Sequence, residues 1–111
     1  MSNDGTTTDE FDVVVIGAGS AGENVAWRAR DHDMTVALVE SELVGGECSY
    51  WACMPSKALL RPAEALAAVR RVPGAAEAVT GTIDVEAVLS RRDEVTSHWD
   101  DKYQVRWVES I

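Results

Sequence analysis

Cys48 and Cys53 stand with four residues between them in the run Gly45-Gly46-Glu47-Cys48-Ser49-Tyr50-Trp51-Ala52-Cys53-Met54-Pro55-Ser56-Lys57. Two thiols this close can cycle between dithiol and disulfide, share a metal ion, or be two unrelated small buried side chains. Geometry constrains the first option. In an ideal α-helix, five steps of ~1.5 Å rise on a ~2.3 Å radius separate the two Cα atoms by roughly 8.6 Å. A disulfide usually needs about 4.4–6.8 Å. Cys48 is therefore expected in a turn ahead of a helix, or in a distorted first turn, with Gly45-Gly46 and Pro55 giving the backbone its freedom. A bridge closing so short a loop under strain is easily reduced, which suits a catalytic pair better than a stapling one. The helix start and Lys57 are both expected to favour thiolate over thiol. The metal option lacks ligands, since His32 and His98 are the only histidines and neither is spaced as a partner. No metal is expected.

A second cluster lies upstream. Gly17, Gly19 and Gly22 have the spacing G-x-G-x-x-G immediately after Val13-Val14-Val15-Ile16. In a strand–turn–helix, the first glycine allows the tight turn, the second lets backbone approach a pyrophosphate, and the third lets helix pack on strand. The helix N-terminus then offers free amide hydrogens to phosphate. Glu40, eighteen residues after Gly22, is placed to accept hydrogen bonds from ribose hydroxyls and to repel a 2′-phosphate. Dinucleotide binding follows from strand, helix and Glu40 taken together. A tight βα turn without ligand is the plainer option, and the pattern does not distinguish FAD from NAD.

These residues need elements to hold them. Phe11–Ile16, a β-branched run without alternation, predicts a strand buried on both faces of a parallel sheet. Glu23–Arg30 predicts a helix with Val25 and Ala26 toward the sheet and Arg28 and Arg30 outward, broken by Asp31-His32-Asp33. Met34–Val39 predicts the second strand, which completes one βαβ unit. Residues 48–72 predict a helical region kinked at Pro55 and Pro62 and ended by Pro73-Gly74. Asp84 is the expected N-cap of a last helix reaching about Val108. Its stripe of Val85, Val88, Leu89, Val95, Trp99, Tyr103 and Trp107 reads as a packing face. No internal repeat or low-complexity linker interrupts this order.

The 111 residues suffice for one small domain or part of a larger one, and a hydrophobic fraction of 46% argues against general disorder. A net charge of −9 disfavours nucleic acid and anionic membrane as partners. Arg70, Arg71, Arg91 and Arg92 read as solvated helix faces. No apolar run is long enough to span a membrane. Met1 to Glu10 is polar and acidic, unlike a secretory signal, and is expected to be a flexible tail before a domain at 11–111. Two cysteines in such a chain suggest a reducing compartment, with the cytoplasm as default.

From Phe11 onward the residues resemble the pyridine nucleotide–disulfide oxidoreductases, the family that includes dihydrolipoamide dehydrogenase, glutathione reductase and mercuric reductase. The resemblance rests on the strand–glycine turn–helix, on Glu40, and on Gly45-Gly46-x-Cys48-x-x-x-x-Cys53-x-Pro55-Ser56-Lys57. It implies an α/β fold: a Rossmann-like FAD-binding βαβ unit followed by kinked helices, as an incomplete, N-terminal part of the FAD domain. It implies FAD held by Gly17, Gly19, Ser20, Ala21, Gly22, Glu40, Gly46, Glu47, Cys48 and Lys57. Cys48 would be the thiol exchanging with a disulfide or dithiol substrate, and Cys53 the flavin-side thiol. Lys57 would lie near the flavin and tune it. Electrons would pass between NAD(P)H, FAD, the Cys48–Cys53 disulfide and the substrate, with a histidine–carboxylate pair supplied across a homodimer from a later domain.

The departures are Glu47, where threonine is usual, and Ser49-Tyr50-Trp51-Ala52, which lacks the customary asparagine and glycine between the cysteines. Glu47 is expected to raise the Cys48 thiol pKa, and Tyr50 and Trp51 to alter access. By itself the chain is expected to show little or no turnover, with apolar faces of both strands left uncovered. Two other readings are a non-catalytic nucleotide-binding or interaction module and a small dithiol protein that needs no flavin.

Overall fold

β-Branched residues form the sheet because their side chains pack well on a pleated surface. In the computed structural model, which describes residues 9–111, Val13–Ile16 is strand β1 and Val36–Val39 is strand β2. Residues 1–8 of the expected tail lie outside the described residues. The strands pair in parallel, Val13 opposite Val36 through Ile16 opposite Val39. Helix α1, Ser20–Asp31, makes the crossover. It begins three residues earlier than the sequence predicts and ends at His32, after which Asp33 turns with φ 60°.

One face of this unit is packed and the other is open. Val15, Ala18 and Ala26 are buried between strand and helix. Val14 is 59% exposed, Ile16 88% and Val39 52%. The expectation of strands buried on both faces is thus corrected, and the expectation of uncovered apolar strand faces describes what is seen. No layer covers the second face among the described residues, so its apolar side chains meet water. Val25 is corrected too: it is half exposed, because Ala26 and Glu23 take the inward positions of α1.

The helical region divides at a place the prolines did not mark. Helix α2 spans Gly46–Tyr50 and helix α3 spans Cys53–Arg70. The break falls at Trp51-Ala52, where Ala52 has φ −118° and ψ −88°. Pro55 sits in the first turn of α3, where a missing amide hydrogen costs nothing. The helix then runs on through Pro62. Pro73-Gly74 ends this region as expected, and a single 3₁₀ turn follows at Ala76–Ala78.

The predicted last helix is two. Helix α4 is Val85–Val95 and helix α5 is Lys102–Ser110. Asp84 caps α4 as expected, its Oδ1 accepting from Ala87 N–H at 3.1 Å. Between them Ser97, His98 and Trp99 adopt φ of 52°, 53° and 56°, which no continuous right-handed helix allows. The apolar stripe is correspondingly divided. Val88, Leu89 and Val95 are half-buried, α4 lying alongside α3, whereas Val85 and Tyr103 are exposed. Arg92, expected to be solvated, is half-buried, paired with Asp93 and lying over Trp99. Among the described residues, no helix is long and apolar enough to cross a membrane.

Candidate functional site

The glycine turn is shaped by close backbone approaches. A Cβ on Gly22 would come within 1.8 Å of the Gly17 carbonyl oxygen, so α1 touches the turn directly. By contrast, nothing lies within 4 Å of a Cβ added to Gly17 or Gly19, which leaves open space in front of the start of α1. Gly19 is the N-cap and has no side chain with which to satisfy the first amides, those of Ser20, Ala21 and Gly22. Open space beside uncapped amide hydrogens at the positive end of a helix fits a pyrophosphate.

Glu40 follows β2 and reaches back to this turn. Its Oε2 accepts from Ala18 N–H at 2.7 Å, and its Oε1 accepts from Ser41 N–H at 2.7 Å and Glu42 N–H at 3.0 Å. The Ala18 amide, followed by those of Glu42 and Ser41, holds the carboxyl below the usual glutamate range. Glu40 thus fastens the turn while Oε2, with one donor, keeps room for a hydroxyl.

The loop carrying the cysteines is bolted to the same turn. Gly45 N–H donates to Ala18 O at 2.8 Å, and Gly19 and Gly45 form a parallel bridge. Gly45 has φ 116°, a conformation open to glycine and strained for other residues. At Gly46 a Cβ would stand 2.8 Å from Gly19 Cα. Buried Tyr50 packs beneath this loop, 3.0 Å from where a Gly45 Cβ would be.

Cys48 lies inside α2 and Cys53 opens α3, with the break at Trp51-Ala52 between them. Both are free thiols and half-buried. Interaction with the Cys53 side chain, ahead of burial and the Cys53 charge, pushes the Cys48 thiol above its ordinary range. Lys57 pulls the other way but is outweighed. The expected preference of Cys48 for thiolate is therefore corrected, because the neighbouring Cys53 and burial outweigh the attraction of Lys57. Glu47, exposed, is not among the groups that shift it.

Lys57 lines a cavity of about 460 Å³ between α3 and α4 with Met54, Arg61 and Arg91, among others. The structure brings together Gly17, Gly19, Ser20, Ala21, Gly22, Glu40, Gly46 and the loop bearing Glu47 and Cys48, with Cys53 across the break, whereas Lys57 lines the α3–α4 cavity apart from the glycine turn. Exposed Trp51 stands between the cysteines with its ring edge against Tyr50. Among the described residues, no group of three or more His, Cys, Asp or Glu is arranged to hold a metal.

Two features escaped the sequence. Glu23 is buried at the first turn of α1, its Oε1 accepting from Gln104 Nε2 at 2.7 Å. Trp99 donates its indole N–H to Tyr50 O at 3.0 Å. Both partners lie far along the chain, and no local signal announces either contact.

Residues 11–108 match the model of the family described as pyridine nucleotide-disulphide oxidoreductase. A dihydrolipoyl dehydrogenase of Chlorobaculum parvum is 47% identical over 64 residues, covering 58% of this chain and 14% of that protein. A dihydrolipoyl dehydrogenase of Rhizobium etli is 36% identical over 91 residues, covering 80% of this chain and 19% of that protein. The chain thus spans less than a fifth of the length of these relatives. In structure, it is similar to the HOCl-induced flavoprotein disulfide reductase RclA from Escherichia coli, solved as a Cu(II) complex. That likeness has a TM-score of 0.62 at 25% identity and covers 82% of this chain and 18% of that one. With a family match running from Phe11 to Val108, the chain belongs to the pyridine nucleotide-disulphide oxidoreductases.

Proposed function

We propose that this chain supplies the adenosine-binding half of a FAD site and the redox dithiol of an NAD(P)H:disulfide oxidoreductase of the dihydrolipoamide dehydrogenase kind. The observation that carries the reading is the 2.8 Å bond from Gly45 N–H to Ala18 O, which ties the dithiol loop to the glycine turn. Gly17, Gly19 and Gly22 would hold the pyrophosphate with the amides of Ser20 and Ala21, and Glu40 the ribose. Gly46, Glu47, Cys48 and Lys57 would face the rest of the cofactor. Bound FAD would supply the two-electron exchange between a reduced nicotinamide and the cysteine pair.

The chain's own residues carry the sulfur chemistry. Cys48, once deprotonated, attacks one sulfur of a disulfide substrate and expels the other as a thiolate, forming a mixed disulfide. Cys53 then attacks Cys48 Sγ, closes the Cys48–Cys53 bond and releases the second substrate thiolate. Two protein thiols are oxidised and one substrate disulfide becomes two thiols. The proton that the Cys53 contact holds on Cys48 has to be taken by a base. Neither His32, whose Nδ1 bonds to Arg28 O, nor exposed His98 is a partner of Cys48. In this reading the base is a histidine–carboxylate pair from the other subunit of a homodimer. Alone, the 111-residue chain has little or no turnover.

A second reading, a nucleotide-binding module without turnover, draws support from the exposed apolar face of Val14, Ile16 and Val39. Titration of the purified chain with ADP, FAD and oxidised glutathione separates the two. The first reading expects ADP and FAD to compete for one site. It also expects Cys48→Ser to abolish thiol exchange and Cys53→Ser to trap a mixed disulfide on Cys48. Saturable ADP binding with exchange indifferent to Cys48→Ser leaves only the module.

A further inference from the structure

The turn between α4 and α5 concentrates backbone strain and long-range bonds in one place. Ser97, His98 and Trp99 are left-handed in succession, a conformation disfavoured for every residue that carries a side chain. Just before them Thr96, fully buried, returns its hydroxyl to Arg92 O and Asp93 O at 3.1 and 3.0 Å and closes α4. The Arg92 guanidinium lies 5.5 Å from the Trp99 ring centroid.

From this turn two bonds reach the cysteine loop. Asp101 Oδ2 accepts from Val44 N–H at 2.8 Å, immediately ahead of Gly45-Gly46. The Trp99 indole N–H donates to Tyr50 O at 3.0 Å, at the last residue of α2. That carbonyl belongs to the group left without intrahelical partners at a helix end. Trp51 N–H and Ala52 N–H both turn back to Glu47 O, at 2.9 and 2.6 Å, so α2 closes on itself there. Each end of the segment bearing Cys48 is therefore tethered to the strained turn.

We propose that Trp99 is a positioning residue for the Cys48–Cys53 pair: its indole N–H pins the end of α2 and keeps open the break that lets the thiols meet. If the Tyr50 carbonyl were released, it could accept from α3 and draw both helices toward one rod. In such a rod the two cysteine Cα atoms would be roughly 8.6 Å apart, too far to bridge. The left-handed backbone at Ser97–Trp99 is what carries the indole to its acceptor. This role rests on the redox reading of the pair.

Oxidised glutathione tests it on the full chain. One cysteine thiol forms a mixed disulfide and releases one reduced glutathione; the second displaces the other glutathione and closes the Cys48–Cys53 bond. Acid quenching, alkylation and mass measurement resolve the two steps. Trp99→Phe keeps the ring over Arg92 and removes only the donor. It is expected to slow ring closure about fivefold, the worth of one net hydrogen bond, while changing the first step less than about twofold. Trp107→Phe, the matched control on α5, leaves both steps unchanged. The same comparison in a Ser97→Gly background, where strain is relieved, covers any loss of folding in the single variant. If the unaltered chain never closes its disulfide, the redox reading fails and the positioning role falls with it. If it closes and Trp99→Phe closes equally fast while folded, or slows both steps alike, the positioning role alone is overturned.

Discussion

Alanine at Gly22 and alanine at Gly19 test the two duties of the glycine turn apart. A Cβ on Gly22 would stand 1.8 Å from the Gly17 carbonyl oxygen, 2.9 Å from its carbonyl carbon and 3.4 Å from Val15 Cγ1. Helix and turn would have to separate by more than about 1 Å in a packed interior that does not yield easily. Two effects oppose each other. Alanine gains about 0.8–1.0 kcal/mol over glycine at a helical position. Overpacking costs about 1–3 kcal/mol, and the obstacle here is backbone rather than a flexible side-chain tip, so the upper part of that range applies. Gly22→Ala should therefore lose about 1–2 kcal/mol net.

At Gly19 the balance differs. Its φ of −78° and ψ of −178° are open to any residue, and an added Cβ meets nothing within 4 Å. The weaker capping of alanine is offset by the lower entropy of its unfolded chain, so stability should change by no more than about 0.5 kcal/mol. The methyl would nonetheless occupy the space that a pyrophosphate needs, and ADP affinity should fall by at least about tenfold, or 1.4 kcal/mol. Urea unfolding followed by tryptophan fluorescence reads the first quantity, and calorimetric titration with ADP the second. A Gly22→Ala chain as stable as the parent would refute the packing argument. A Gly19→Ala chain that binds ADP undiminished would refute the cradle.

Two pH measurements follow from the site. Alkylation of Cys48 should have its midpoint above the ordinary thiol range, move down in Cys53→Ala and move further up in Lys57→Met. The folded chain holds that proton more tightly than the unfolded one. Its contribution to stability is therefore complete at neutral pH and lost as pH rises through the raised value; a midpoint indifferent to Cys53→Ala contradicts this. Glu40 shifts the opposite way. The Ala18 amide resonance should titrate below the usual glutamate range, and the stability Glu40 lends should be present above that range and lost as pH falls through the lowered value. A flat Ala18 titration that Glu40→Gln leaves unaltered would show that the carboxylate does not hold the turn.

What the sequence disclosed and what it hid divide by the range of the interactions. Val13–Ile16, the three glycines and the cysteine spacing are local signals, and the βαβ unit and the broken helix around the dithiol follow from them. The break at Ser97–Trp99 leaves no mark in the apolar pattern, because four-residue steps run from Val95 through Trp99 and Tyr103 to Trp107 across it. Its causes are the bonds from Trp99 to Tyr50 and from Val44 to Asp101, whose partners lie 49 and 57 positions away. Only Thr96-Ser97 and Asp100-Asp101, weak helix formers, hinted at a stop. The burial of Glu23 has no local signal, because Gln104, which satisfies it, is 81 positions distant. The Cys48 proton follows the same rule: Lys57 is visible in sequence, whereas the influence of Cys53 on Cys48 depends on how α2 and α3 part.

The contacts between turn and dithiol loop are backbone to backbone, and this limits how the site can vary. Gly45 N–H meets Ala18 O, a Gly46 Cβ would strike Gly19 Cα, and a Gly22 Cβ would strike Gly17 O. None of these approaches can be adjusted by exchanging one side chain for another, since any side chain at Gly22 or Gly46 pushes the whole segment away. The glycine turn and the segment bearing Cys48 are thus fixed to one another through backbone, while side-chain bonds from Trp99 and Asp101 set the far edge. Variation in chemistry is left to the residues that face outward from these segments, Glu47 and Trp51 first among them.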